Sequence, residues 1–158
     1  MTTASTCLWF DDRAEEAVQF YLTLFPHSRI LHTTFYLEGA PKPPGTVLAI
    51  RFTLNGAEYL ALNGNPSFPF TPATSMVAAC DTQEEVDTLW EKLSEGGEAG
   101  QCGWLRDRFG VSWQIQPRPL LALLTTEDRA ASQRVFDAIR PMRKLDLAAL
   151  LQAHAGPA

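Results

Sequence analysis

Val47-Leu48-Ala49-Ile50-Arg51-Phe52-Thr53-Leu54 and Glu58-Tyr59-Leu60-Ala61-Leu62 stand on either side of Asn55-Gly56. Asn-Gly between two apolar runs is a strong short-range hairpin signal, because both residues tolerate the left-handed backbone that a tight turn needs. Working backwards, Gly39 to Gly45 holds three prolines and must be a loop. Arg29 to Tyr36 is β-branched and aromatic enough for a strand. Ahead of it, Ala17, Phe20, Tyr21, Leu24 and Phe25 recur at helical spacing, and Pro26 stops the helix. Asp12 is placed to cap that helix and Glu15 to complete a capping box. Thr6 to Phe10 reads as a strand. The first half therefore reads β-α-β-β-β.

Asn63 to Pro72, with Pro66, Pro69 and Pro72, reads as a linker, and then the order starts again. Ser75 to Cys80 is a strand. Thr82 and Glu85 make a second capping box, and Val86, Leu89, Trp90 and Leu93 a second helical stripe ended by Gly96-Gly97. A short strand is expected near Glu98 to Gln101. Trp104-Leu105-Arg106 and Val111 to Ile115 flank a four-residue turn, Asp107 to Gly110. At a shift of 70, Asp12 falls on Thr82, Glu15 on Glu85 and Phe20 on Trp90. An internal repeat of a βαβββ unit is a statement about fold. The expected class is α+β: units over about 5–64 and 74–118 form one domain, 1–124. The helical extension 125–158 is broken at Pro141. That tail either packs on the sheet or makes a subunit contact.

With 158 residues, 46% of them hydrophobic, the chain can bury a real core. A net charge of −5 argues against nucleic acid and against an acidic membrane surface. No apolar stretch approaches the roughly 20 residues of a spanning helix, and the first residues do not read as a signal peptide. Cys7, Cys80 and Cys102 are too few and too irregular for a disulfide framework or a zinc knuckle, and free thiols suit the cytoplasm.

Several runs carry a family resemblance: Cys-Leu-Trp-Phe (7–10), Ala-Glu-Glu-Ala-Val-Gln-Phe-Tyr (14–21), Leu-Asn-Gly-Asn-Pro (62–66) and Thr-Gln-Glu-Glu-Val-Asp-Thr-Leu-Trp (82–90). The most specific is Cys-Gly-Trp-Leu-Arg-Asp-Arg-Phe-Gly-Val-Ser-Trp-Gln-Ile (102–115). With these the chain resembles the PhnB-like branch of the vicinal-oxygen-chelate superfamily, the glyoxalase and bleomycin-resistance proteins. Such proteins often bear the name 3-demethylubiquinone-9 3-methyltransferase. The sequence argues against methyl transfer, since it has no Gly-rich strand-to-helix turn for a nucleotide-like cofactor.

The resemblance implies tandem βαβββ units with a concave ligand face. Metal-dependent relatives place four ligands there, and the positions fall near Ser5, near Ala61, at about Ser75 and at Gln114. Alternation puts Trp113 and Ile115 toward the helix and Gln114 toward the cavity; likewise Leu60 and Leu62 toward the helix, with Ala61 and Asn63 inward. Only Gln114 of the four could coordinate, weakly. His27, His32 and His154 have no partner at ligand spacing. No metal and no cofactor is expected.

The candidate ligand-binding residues are Trp9, Tyr59, Asn63, Ser75, Trp104 and Gln114. Trp9 reads as a stacking wall or as core, and Asn63 as an amide contact or as a turn residue. Cys102, beside Arg106 and Arg108, reads as an activated thiolate or as a turn cysteine, with Arg106 and Asp107 as solvated or paired hairpin residues. The leading expectation is a non-metal protein that binds a hydrophobic small molecule and forms a homodimer, as the resemblance implies. The alternative is a metal- or cysteine-dependent lyase, isomerase or dioxygenase; a third is an interaction module working through the tail.

Overall fold

The computed structural model describes residues 2, 4–64 and 67–157. Asn65 and Pro66, the end of one resembling run and part of the expected linker, lie outside the described residues. The chain divides into two compact units, Met1–Pro69 and Phe70–Ala158.

Unit 1 runs β1 (Thr6–Phe10), α1 (Ala14–Leu24), β2 (Arg29–Phe35), β3 (Val47–Leu54) and β4 (Ala57–Asn63). Its sheet order is β1-β4-β3-β2, with β1 parallel to β4 and the other neighbours antiparallel. The hairpin forms where Asn-Gly demands it, with φ of 45° at Asn55 and 90° at Gly56. One sheet face is covered by α1. Leu8, Phe10, Ile50, Phe52, Leu54 and Ala61 are buried there with Ala14, Ala17, Val18 and Tyr21 of the helix. Burial of each large side chain here is worth about 1.5–3 kcal/mol.

Unit 2 repeats the plan: β5 (Ser75–Cys80), α2 (Gln83–Ser94), β6 (Glu98–Ala99), β7 (Trp104–Arg106) and β8 (Ser112–Pro117), ordered β5-β8-β7-β6. Met76, Ala78, Cys80, Leu105, Trp113 and Ile115 form its buried face with Val86 and Leu93 of α2. Three helices follow, α3 (Leu120–Leu124), α4 (Arg129–Ile139) and α5 (Leu147–Ala155). The short α3 had no expectation in the sequence.

The tail has its own apolar cluster: Leu120, Leu123, Val135, Ile139, Leu145 and Leu150. It is also tied to unit 2 by polar bonds. Gln83 Nε2 donates to Leu145 O at 3.1 Å and Gln83 Oε1 accepts from Leu147 N at 2.8 Å. Cys102 N and Gly103 N donate to the carbonyls of Met142 and Arg143.

Two local expectations need correction. Asp12 does not cap α1. Its backbone is left-handed (φ 81°), its carboxylate is held by Lys42, and the N-cap position falls on Arg13, which makes no side-chain cap bond. The strand alternation in β4 is the reverse of the one expected: Ala61 and Asn63 face α1, and Leu60 and Leu62 take the open face. The apolar leucines looked like core. Ala14, Ala17 and Ala61, all fully buried, instead fit a helix lying close on the strand.

Candidate functional site

The face of each sheet not covered by its helix is where a ligand could lie. Cross-strand partners share a face. In unit 1 the register puts Cys7, Leu60, Arg51 and His32 in one row across the open face, and Trp9, Leu62, Ala49 and Thr34 in the next. Trp9 is 37% exposed, and its ring meets Phe68 at 5.5 Å between centroids. Gly64 allows the Nε1 edge of the indole to come close to the chain, because a Cβ there would stand 3.0 Å from Trp9 Nε1. Trp9 therefore stands part-exposed on the open face, beside Phe68. Arg51 is engaged by Glu58 at 2.5 Å, so this row carries little net charge. The exposed Cys7 has its pKa raised by partial burial, which keeps it a thiol.

In unit 2 the open face carries Ser75, Val77, Gln114, Gln116 and Trp104. Gln114 Nε2 donates to Ser75 Oγ at 2.9 Å, and Gln116 Nε2 donates to Gln114 Oε1 at 2.8 Å. The result is a row of neutral hydrogen-bonding groups held in one orientation, with Trp104 beside Gln114 in register. Ser75, Trp104 and Gln114 thus come together.

Tyr59 and Asn63 do not join the open face of unit 1. The Tyr59 ring packs on buried Phe52 at 5.6 Å, and burial raises its hydroxyl pKa. Asn63 is 4% exposed; its Oδ1 accepts from Ala14 N at 2.9 Å and its Nδ2 donates to Val47 O at 3.0 Å. Its amide holds the start of α1 rather than a turn or an open surface. Cys102 has a left-handed backbone (φ 56°), and its Sγ lies 3.8 Å from Ile139 O, packed against the tail cluster.

Of the two readings of Asp107, solvated or paired, the structure removes the first. Asp107 is 3% exposed. Its Oδ1 accepts from Phe109 N at 2.9 Å and Val111 N at 3.0 Å, and its Oδ2 accepts from Trp113 Nε1 at 2.8 Å. The signal in the sequence is Asp-Arg-Phe-Gly-Val (107–111), a tight turn in which a carboxylate can bond its own loop.

The corrected alternation also moves one of the family's ligand positions. Cys7 pairs with Leu60 as Val77 pairs with Gln114, so the equivalent of Gln114 in unit 1 is Leu60, not Ala61. The positions are Ser5 and Leu60 in unit 1, and Ser75 and Gln114 in unit 2. Divalent transition metals want imidazole, thiolate or carboxylate. These residues offer one amide, already bonded at both its oxygen and its nitrogen, so they do not fit a metal. Among the described residues, no group of three or more His, Cys, Asp or Glu side chains could hold one.

The 3-demethylubiquinone-9 3-methyltransferase family matches residues 2–116. The chain belongs to this family. The PhnB protein from Bacillus cereus is 39% identical over 73% of this chain and 99% of its own, with a TM-score of 0.68. A Pseudomonas aeruginosa protein, PA1353, is 20% identical over 74% and 98%, with a TM-score of 0.60. FosX from Listeria monocytogenes, a fosfomycin resistance protein, is 14% identical over 79% and 98%, with a TM-score of 0.59. The last two show the fold alone. No curated protein matches the chain. The family's name implies a methyl donor such as S-adenosylmethionine. Among the described residues the two four-stranded sheets supply no parallel doubly wound sheet with a Gly-rich turn for it, so these residues do not fit that group either.

Proposed function

We propose that this PhnB-like protein binds an apolar, partly planar small molecule without a metal. The observation that carries this is the make-up of the open sheet faces. In unit 1 an exposed tryptophan stands among Leu60, Leu62 and Cys7; in unit 2 a fixed row of neutral amide and hydroxyl groups runs from Ser75 to Gln116. Aromatic walls with a few oriented polar groups are what small-molecule sites are made of. We place the protein in the cytoplasm, where Cys7, Cys80 and Cys102 stay reduced. We also propose a homodimer, because β2 is an edge strand showing Leu31 and Phe35 to solvent. Light scattering on the eluting protein reads the dimer directly.

The test of binding is thermal unfolding with 2-naphthol as the probe, with and without a chelator. The expected result is a saturable rise in Tm that the chelator leaves unchanged and that Trp9→Ala removes. A large stabilisation by zinc, nickel or manganese that the chelator reverses overturns the metal-free reading.

A further inference from the structure

At the hairpin end of unit 1, away from the Trp9 row, lies a shallow pocket of about 580 Å³. It is lined by Pro26, His27, Ser28, Arg29, Thr53, Asn55 and Gly56. We propose that this pocket is a binding site for a phosphoryl group.

The pocket is built by two turns that hold each other. His27 N donates to Asn55 Oδ1 at 3.2 Å, and Asn55 N donates to Ser28 Oγ at 3.1 Å. Both bonds use acceptor capacity and leave donors over. With its oxygen engaged, Asn55 keeps its Nδ2 donors to give, and the residue lines the pocket. With its oxygen accepting, Ser28 keeps its hydroxyl proton to give. Arg29 and Thr53 are opposite each other in the β2–β3 register, so the guanidinium and the Thr53 hydroxyl share a face. His27 adds a ring nitrogen that donates whenever it carries a proton.

Charge points the same way. No carboxylate lines the pocket. Glu58, opposite Thr53 on β4, is bound by Arg51 at 2.5 and 3.1 Å. Several other cations of this acidic chain are taken up by carboxylates: Arg13 by Glu16, Lys42 by Asp12, Arg106 by Glu98, Arg118 by Asp81 and Lys144 by Asp87. Arg29 has no such partner among the described residues. A fork of guanidinium donors with hydroxyl and amide donors beside it exceeds what the two oxygens of a carboxylate use. A tetrahedral oxyanion with three free oxygens matches it.

The phosphoryl group could come from inorganic phosphate or from a phosphate monoester, and the two are told apart by titrating the full ¹⁵N-labelled chain with each, phenyl phosphate serving as the ester. We expect saturable amide shifts confined to His27, Ser28, Arg29, Asn55 and Gly56, unchanged when chloride is raised to the same ionic strength. Arg29→Gln should weaken binding about ten-fold or more, Ser28→Ala less, and Arg118→Gln not at all. Tighter binding of phenyl phosphate assigns the pocket to an ester; equal binding assigns it to free phosphate. Shifts that never saturate, that spread over other basic residues, or that survive both Arg29→Gln and Ser28→Ala overturn the proposal. Arg29 is exposed, so its loss leaves the fold intact, and Ser28→Ala decides independently.

Discussion

In unit 1 the first helix is held at its start by Asn63, forty-nine positions further along the chain. In unit 2 the matching helix is held locally: Thr82 Oγ1 accepts from Glu85 N at 3.2 Å, and Glu85 reaches back to Asp81 N at 2.6 Å. The equivalent positions are exchanged. Phe10 pairs with Asn63 as Cys80 pairs with Pro117, so where unit 1 has its capping amide unit 2 has proline. Where unit 2 has its capping threonine, unit 1 has Asp12, turned left-handed and bonded to Lys42. The hairpins differ in the same spirit. Unit 1 closes β3–β4 with two residues of positive φ, and unit 2 closes β7–β8 around the buried carboxylate of Asp107. The repeated backbone needs each helix start and each turn to be satisfied, and it does not fix which residue does it.

The largest expected effect comes from breaking the stitched turn. Asp107→Ala strands Phe109 N, Val111 N and the Trp113 indole, all in a buried setting. We expect a loss of about 3–5 kcal/mol, since each orphaned buried donor costs on the order of 1–3 kcal/mol. Urea unfolding measures it. Asn55→Ala in the other hairpin should cost about 1–2 kcal/mol, from holding alanine at positive φ and from losing the exposed bond to His27 N. Equal costs for the two would mean the carboxylate is incidental.

Next come the two caps. Asn63→Ala removes the partner of Ala14 N and that of Val47 O, both buried, and should cost about 2–3 kcal/mol. Thr82→Ala removes one exposed cap and should cost about 1 kcal/mol. If Thr82→Ala costs as much as Asn63→Ala, the distant cap is no more than a local one. The clamp on the tail is of similar size. Gln83→Ala loses bonds to Leu145 O and Leu147 N, and should cost about 1–2 kcal/mol while speeding amide exchange in α5 before the sheet.

These contrasts also explain what could be read in advance. The strands β1, β3 and β5, the Asn-Gly hairpin and the second capping box were legible, because each rests on residues close in sequence. The repeat shift of 70 holds for the first strand and the helix. It fails for the last strands, since unit 2 has no counterpart of the proline-rich loop before β3. Asn63 as a cap was not legible, because its partner comes from a different element. The facing of β4 was not legible either: in a strand with apolar residues on both faces, alternation gives two sets and does not say which is core. For the candidate site, Trp9, Ser75, Trp104 and Gln114 sit on open faces, whereas Tyr59 and Asn63 inherit the reversed alternation.

The smallest effect at neutral pH separates Phe10 from its counterpart Cys80. Both end the first strand of their unit, and both are buried. Only the cysteine can ionise. Its pKa is pushed up to about 11, by burial first and then by Glu85 and Asp81, with Arg118 opposing. Below the ordinary value of 9.0 both folded and unfolded chains keep the proton, and stability does not depend on this group. Between 9.0 and about 11 the unfolded chain releases it and the native chain does not, so native stability falls as pH rises through that window. Above it the slope ends. Tyrosines and lysines titrate in the same range, so the readout is a difference: urea midpoints followed upward from neutral pH for the wild type and for Cys80→Val. The variant should lose part of the alkaline slope and none of the neutral stability profile. Parallel curves for the two proteins would mean that the Cys80 proton is no harder to remove in the fold than outside it.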